Sequence, residues 1–507
     1  MNIMMLLEMA AATFPDRTAF VDGNSGERLS YQALFDNAGQ HAKQISAGGY
    51  SRVGMLDVSS LATPTGLFAA AWAGAPYVPI NYRLTQGEIE ALFARITPAC
   101  VVTDDQRANQ FDHVADITTV GRTQFLAQAV SPDATQDQPE AAQEWSMDPE
   151  ETAVLLFTSG TTGAPKAAVL RQKHLVSYIL GSVEFACAEE DEAALVCVPP
   201  YHIAGIAAIL SSVYSGRRVV QLADFSPERW IELVREEKVS TAFVVPTMLS
   251  RIVETLQDQK SADMPHLKSL SYGGGKMPLS VIERAMQLFP DTDFTNAYGL
   301  TETSSTVAVL GPDDHRAAAG AEDETLKRRL VSVGTALPGV EIEIRDDEGN
   351  TVAPGERGEI YVRGEQVSGE YEGRGPVTDS DGWFPTRDAG SMDAEGYLFL
   401  EGRADDVIVR GGENMSPGEI EDVLLEHAAV KDAACVGIPS EQWGEAVAAA
   451  VVLKADAKVE ATELKEWVKS NMRSSRVPET LEFWKELPYN ETGKLLRRVV
   501  KEKLSSA

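Results

Sequence analysis

Leu155-Leu156-Phe157-Thr158-Ser159-Gly160-Thr161-Thr162-Gly163-Ala164-Pro165-Lys166 is the stretch on which the reading of this chain turns. An apolar run enters seven consecutive small or hydroxylated residues, and a proline and a lone lysine follow. Such a loop suits a polyphosphate. Glycines let backbone amides turn toward the anion, hydroxyls add donors, and the lysine supplies positive charge. The GxxxxGK[ST] spacing of a Walker A loop is absent. Taken by itself, the segment also reads as a Ser/Thr/Gly-rich surface linker.

Five further stretches carry chemistry. Asn296-Ala297-Tyr298-Gly299-Leu300-Thr301-Glu302-Thr303 offers an aromatic face for a purine, amide and hydroxyl groups, and a carboxylate, although alone it also reads as a helix start capped by Thr301. Upstream, Gly273-Gly274-Gly275-Lys276-Met277-Pro278 permits close approach of a planar ligand and alone is simply a turn. Gly382-Trp383-Phe384-Pro385-Thr386-Arg387-Asp388-Ala389-Gly390 places one carboxylate in a glycine-flanked loop. Gly402-Arg403-Ala404-Asp405-Asp406 leads into Gly411-Gly412-Glu413-Asn414-Met415-Ser416-Pro417, where an exposed linker would explain the charges but not the paired glycines. Near the end comes Leu487-Pro488-Tyr489-Asn490-Glu491-Thr492-Gly493-Lys494-Leu495.

In this order and spacing, from about Ala71 to Arg498, these motifs resemble the adenylate-forming (ANL) superfamily of acyl-CoA synthetases, peptide-synthetase adenylation domains and luciferases, in its acid:CoA ligase branch. The resemblance implies that Thr158, Ser159, Gly160, Thr161, Thr162, Gly163 and Lys166 surround the ATP phosphates. It places Gly274, Asn296, Ala297, Tyr298 and Gly299 around adenine, Thr301 at the α-phosphate and Glu302 as the Mg²⁺ ligand, a hard cation bound through oxygen. Asp388 accepts the ribose hydroxyls, and Arg403 contacts ribose or phosphate. Asp405 sits at a hinge, Gly411 and Gly412 line the coenzyme A tunnel, and Lys494 is the catalytic lysine of adenylation. Two departures stand out: Arg387 where the family usually has glycine, and Tyr489-Asn490 in place of an Arg-Thr type pair.

Pro200-Tyr201-His202-Ile203-Ala204-Gly205-Ile206 resembles the aromatic-His segment beside the acyl pocket of such ligases. By that resemblance His202 joins Lys494 and Glu302 as a catalytic candidate, gating the pocket or orienting the carboxylate, and Ile203, Gly205, Gly273 and Gly299 line it. A lone histidine serves equally as a structural group. The aspartate with which amino-acid-activating relatives hold an α-amine is missing. Ile203, Ala204, Ala207, Val245 and Met248 suit a hydrocarbon or aromatic acid and would serve equally as core.

The composition agrees with a globular enzyme. At 507 residues the chain exceeds one ordinary domain, and its 44% hydrophobic and 24% charged residues are those of a packed protein. A net charge of −31 argues against a nucleic-acid binder working through a basic surface, and against docking on an anionic membrane through bulk charge. From Lys465 onward ten Lys or Arg face six Glu, a basic island or an ordinary solvated helical surface. The scattered Cys100, Cys187, Cys197 and Cys435 fit neither a zinc pattern nor a disulfide framework. No targeting or membrane-spanning segment is evident, since Met1–Leu7 lacks a basic flank and Ile203–Val213 is too short. The expected setting is cytoplasmic, and the acidity neither requires nor forbids a homodimer.

Apolar runs alternating with amphipathic stretches predict an α/β fold: a large N-terminal domain of layered sheets and helices with a β-rich subdomain, then a small mobile α+β domain. Helices are expected over Tyr31–Ile45, Glu88–Ile96, Pro417–Leu425 with Ser416 as cap, and Ala461–Met472. Strands are expected at Cys100–Val102, Thr241–Val245 and Ala446–Leu453, with hairpin alternation at Val340–Ile344 and Gly358–Val362. Val120–Glu150 reads as a surface excursion. The boundary is drawn at Gly402–Asp406, giving an adenylation domain over 1–402 and a lid domain over 403–507. The implied activity is ATP-dependent formation of an acyl-adenylate and transfer of the acyl group to coenzyme A, with ATP, Mg²⁺ and coenzyme A as cofactors. The acid expected is fatty or otherwise aliphatic; an aryl acid, or loading of a carrier protein's pantetheine thiol, is the alternative.

Overall fold

The computed structural model describes residues 1–130, 144–158, 165–346, 348–403, 406–410, 413–440, 442–490 and 495–506. Two large sheets carry the N-terminal part. In the eight-stranded one, Arg52–Leu56 lies between Tyr77–Pro79 and Ala99–Thr103, all parallel, with helices Ala62–Ala73 and Gln86–Ile96 as crossovers. Thr152–Thr158 joins parallel to Tyr77–Pro79 and turns back antiparallel as Lys166–Arg171.

The nine-stranded sheet runs Ala193–Val196, Thr241–Val244, Ser269–Gly273 and Asp293–Leu300 in parallel, then closes antiparallel with Ser305–Leu310 and Thr335–Ala336. Ala193–Val196 is buried at every position, which is why it reads as a continuous apolar run rather than an alternating one. Helix Ile203–Ser215 forms the crossover from that strand to Arg218–Gln221.

Val340–Arg345, Arg357–Gly364, Phe384–Met392 and Leu398–Arg403 make the expected antiparallel subdomain. The segment between its second and third strands leaves that sheet. Its short strand Glu370–Tyr371 pairs at Ala168 with the eight-stranded sheet, and Arg171 makes a two-pronged ion pair with Glu370 at 2.7 and 2.9 Å. The last sheet, from Ile408–Arg410 to Thr480–Phe483, packs helices Pro417–Leu425, Ala461–Asn471 and Arg497–Ser505 around its own apolar cores.

Sequence periodicity located the elements to within a few residues, as at Tyr31–Ala47 and Gly444–Leu453. Two local expectations differ. Ser416 does not cap its helix; its hydroxyl donates to the Glu401 carbonyl at 2.8 Å and ties the small unit to the antiparallel subdomain. Pro246 does more than end a strand, standing first in helix Pro246–Thr255, where the missing N–H costs nothing. Lys276 completes the join, its ammonium 2.5 Å from the Asp422 carboxylate.

Candidate active site

Thr158 and Lys166 are register partners at the end of their hairpin where the two strands are connected. The Lys166 ammonium stands 5.5 Å from the centre of the Tyr371 ring, within cation–π range. The Tyr371 hydroxyl donates to Glu302 Oε1 at 2.6 Å, and the Ser368 and Gly369 amides bond the Glu302 carbonyl at 2.8 and 3.2 Å. Burial, and then the Glu302 charge, push the Tyr371 phenol far above its ordinary value, so it stays a hydrogen-bond donor. Tyr371 is thus a functional candidate that the sequence concealed: Gly369-Glu370-Tyr371-Glu372-Gly373 matches no motif read above, and only strand pairing brings it here.

A second network joins the nine-stranded sheet to the antiparallel subdomain. The Tyr298 hydroxyl donates to Asp388 Oδ2 at 2.8 Å, and Arg403 donates to Oδ1 at 2.8 Å. Burial foremost, then Asp388, hold the Tyr298 phenol protonated. Asp388 and Arg403 are cross-strand partners, so sheet register sets their pairing. Asn296 donates its side-chain amide to the Ser332 carbonyl at 2.9 Å, which fixes the Asn296–Gly299 strand edge. A Cβ on Gly299 would stand 1.8 Å from the Ser305 carbonyl oxygen, so only glycine lets the antiparallel strand approach.

One cleft of about 2730 Å³ joins these groups, several times the 300–1,000 Å³ or so of an ordinary ligand pocket. Thr158, Lys166, Gly274, Asn296, Ala297, Tyr298, Gly299, Thr301, Glu302, Asp388, Arg403, His202 and Ile203 all line it. Gly205 and Gly273 stand behind its wall. Gly205 packs on Pro199 and Pro200, and a Cβ on Gly273 would lie 2.2 Å from the Ala297 carbonyl oxygen. Ser159, Gly160, Thr161, Thr162, Gly163, Asp405, Gly411, Gly412 and Lys494 lie outside the described residues. Beside Lys494 on either flank, Tyr489, Asn490, Leu495, Leu496 and Arg497 line the same cleft. Arg497 is locked by Glu421, which it meets at 2.8 Å through one of its two donors.

The other end of the cleft is apolar. Ala204, Ala207, Ala208 and Ser211 of helix Ile203–Ser215 face a sheet surface of small or apolar residues, among them Ala194, Val196, Ser271, Thr295 and Ala297. His202 stands at the helix start, its ring centre 4.6 Å from that of Tyr201. Its buried Nε2 has no hydrogen-bond partner among the described residues, and burial lowers its pKa to about 4, leaving a neutral imidazole.

Two large mixed sheets thus hold one cleft with a charged end and an apolar end. The model for "AMP-binding enzyme" matches residues 7–372 and that for "AMP-binding enzyme C-terminal domain" matches residues 419–494. The chain belongs to the AMP-binding enzyme family. This AMP-binding enzyme is 30% identical over 497 residues to a feruloyl-CoA synthase from an Amycolatopsis species, covering 96% of each chain. It is 30% identical over 498 residues to the fatty acid–[acyl-carrier-protein] ligase ScoC of Streptomyces coeruleorubidus, covering 94% of this chain and 92% of that protein. Its structure matches Bacillus subtilis o-succinylbenzoate CoA synthetase in complex with the acyl-adenylate intermediate OSB-AMP, with a TM-score of 0.83 and 27% identity over 98% of this chain and 97% of that one. It is an AMP-forming acid:CoA ligase using ATP, Mg²⁺ and coenzyme A. The donor set suits Mg²⁺: the buried Glu302 carboxylate and the hydroxyls of Thr158 and Thr301 offer hard oxygen at the cleft. Among the described residues, no helix is long and apolar enough to cross a membrane.

Proposed function

We propose that this ligase activates a hydrophobic carboxylic acid in two half-reactions at the one cleft, and that the acid is a fatty or related aliphatic one. The observation that carries the reading is the junction of a charged end, built on Glu302, Asp388 and Arg403, with an apolar end under helix Ile203–Ser215. Along that end Ala194, Leu195 and Val196 of strand Ala193–Val196 line the cleft and Val198 continues the wall beyond the strand, a longer run than a single aromatic ring requires.

In the first half-reaction the substrate carboxylate attacks the α-phosphorus of ATP while the bond to pyrophosphate breaks, leaving an acyl-adenylate. Both reactants are anionic, so positioning and charge neutralisation supply the rate. In this reading Lys166 and the loop from Ser159 to Gly163 hold the outer phosphates, Thr301 contacts the α-phosphate, and Tyr298 presents its ring to adenine. Asp388 is already oriented by Tyr298 and Arg403 and keeps lone pairs for the ribose hydroxyls. Mg²⁺ at Glu302 would offset phosphate charge, and Lys494 would stabilise the charge that develops at the transferred group. His202, being neutral, would orient the carboxylate by a hydrogen bond rather than an ion pair.

In the second half-reaction a thiol attacks the acyl carbon and AMP leaves. The domains divide at 402/403, with the hinge at Asp405, so rotation of the small domain would exchange Lys494 for the Gly411-Gly412 face. The substrates named for the feruloyl-CoA and o-succinylbenzoate enzymes favour an aryl acid as the second reading, and the carrier protein named for ScoC favours that acceptor as the rival thiol.

The test is a panel of aliphatic, aryl and polycyclic acids with ATP, Mg²⁺ and coenzyme A, following AMP and thioester together. Lys494→Ala and Ala208→Phe serve as controls. Long-chain acids are expected to give both products, Lys494→Ala to lose adenylation, and Ala208→Phe to cost long chains about tenfold in kcat/KM while sparing short ones. Turnover confined to aryl acids replaces the aliphatic reading. Adenylate without thioester points to a carrier protein, and no product across the panel overturns the reading.

A further inference from the structure

Arg387 departs from the glycine usual in its motif, and its backbone is the kind that glycine serves. Its φ is +63°, the left-handed region that an L-residue enters only against steric resistance. The cause is a bulge in strand Phe384–Met392: Ala389 pairs with Glu359 and Pro385 with Tyr361, so Thr386, Arg387 and Asp388 together oppose Ile360. The bulge is well held. Thr386 donates its hydroxyl to the Ile360 carbonyl at 2.7 Å, the Asp388 amide bonds the Thr386 hydroxyl at 3.1 Å, and the Arg387 amide bonds Glu359 Oε1 at 3.1 Å. The backbone therefore keeps this shape whatever side chain stands at 387, and glycine would stand there with less strain.

The side chain that is retained lines the active-site cleft with Tyr371, Asp388 and Arg403. It is 62% exposed, and its ion pair among the described residues is a long one, 3.9 Å to Glu359. Of the other cations at this end, Arg403 is committed at closer range, 2.8 Å from Asp388, while Lys166 lies 5.5 Å from the centre of the Tyr371 ring. On a chain of net charge −31, a loosely held guanidinium beside the carboxylate assigned to ribose is suited to a phosphate anion.

We propose that Arg387 is a phosphate-binding residue of this cleft, its guanidinium taking a phosphate group of the bound nucleotide at the expense of local backbone strain. The proposal rests on the reading of the cleft as a nucleotide site. ATP and coenzyme A both bring phosphates to it, so the experiment separates them.

Calorimetric Kd values for ATP and for coenzyme A, the ATP KM in pyrophosphate exchange, and Tm are measured for wild type, Arg387→Gly and Arg387→Lys. Arg387→Gly is expected to raise Tm by about 2 °C through relief of the left-handed strain. The same variant should weaken ATP about five- to tenfold, with the loss shrinking at 0.5 M salt, while Arg387→Lys keeps part of the affinity. If coenzyme A rather than ATP is weakened, the phosphate role stands with coenzyme A as its source. A rise in Tm with both Kd values unchanged would overturn the assignment and leave Arg387 a strained surface residue. A wild type that binds neither ligand would overturn the nucleotide reading and this assignment with it, an outcome separable from failure at Arg387 alone.

Discussion

The two ends of the cleft are organised on opposite principles. At the phosphate end, side chains are committed before any ligand arrives: Tyr371 to Glu302, and Tyr298 and Arg403 to Asp388. At the acyl end the wall is defined by what is missing, small side chains on helix Ile203–Ser215 and on the facing sheet, and the His202 ring there keeps a nitrogen without a partner among the described residues. A constant reactant can be met by a fixed constellation, because the same phosphates and ribose return at every turnover. A variable reactant needs space, and space is shaped by omission.

The contrast fails first, and most visibly, if the charged end is not pre-organised. Asp388→Ala leaves Arg403 and the Tyr298 hydroxyl without their shared acceptor, and breaking a buried pair costs about 3–5 kcal/mol. We expect the ATP Kd to rise at least a hundredfold and urea stability to fall. A variant with wild-type ATP affinity would show that the network is packing alone.

The acyl end is sharpened by acid. The pKa of His202 is lowered from 6.5 to about 4, so its contribution to stability is complete above pH 6.5 and is lost as pH falls through 4. The shift corresponds to at most about 3 kcal/mol. His41 and His174, also lowered to about 4 by burial, add to the same window. Urea unfolding between pH 7 and pH 4 should therefore show a steep loss, and His202→Phe should flatten it by up to that amount. An unchanged slope would mean that His202 is solvated and charged.

The smallest effect tests the link through Tyr371. Tyr371→Phe keeps the ring beneath Lys166 and removes the donor to Glu302, worth about 1–2 kcal/mol for a bond to a charged group. The ATP KM in pyrophosphate exchange and the Mg²⁺ concentration giving half-maximal rate should each rise about three- to tenfold, with Tm moving little. A change in Tm without one in KM would make the tyrosine structural.

The same asymmetry explains what was legible in the sequence. Charged chemistry is written in motifs that resemble those of the adenylate-forming superfamily, and that resemblance singled out Glu302, Asp388 and Arg403 before any strand was placed. Ala204 and Ala207 read equally as acyl-pocket lining or as core, because a groove wall and a helix core use the same residues, and only the sheet opposite tells them apart. Tyr371 was invisible because its partners lie on another sheet, and Ser416 was misassigned because its hydroxyl goes to a different unit rather than to its own helix. Arg387 was flagged as a departure, but the left-handed backbone beneath it is a property of the bulge, which the sequence does not announce.

The excursion that delivers Tyr371 also imposes an order in time. Ser368 and Glu370 meet Val169 and Arg171 across 199 residues of chain, and Arg52 meets Glu372 across 320. Contacts so distant close late, since loop closure must precede them. A nascent chain that has emerged only to Gly364 already carries the phosphate-loop sequence but lacks the strand Glu370–Tyr371 that pairs beside it at Ala168. The Tyr371–Glu302 contact therefore has its second partner only once about three-quarters of the polypeptide has been made.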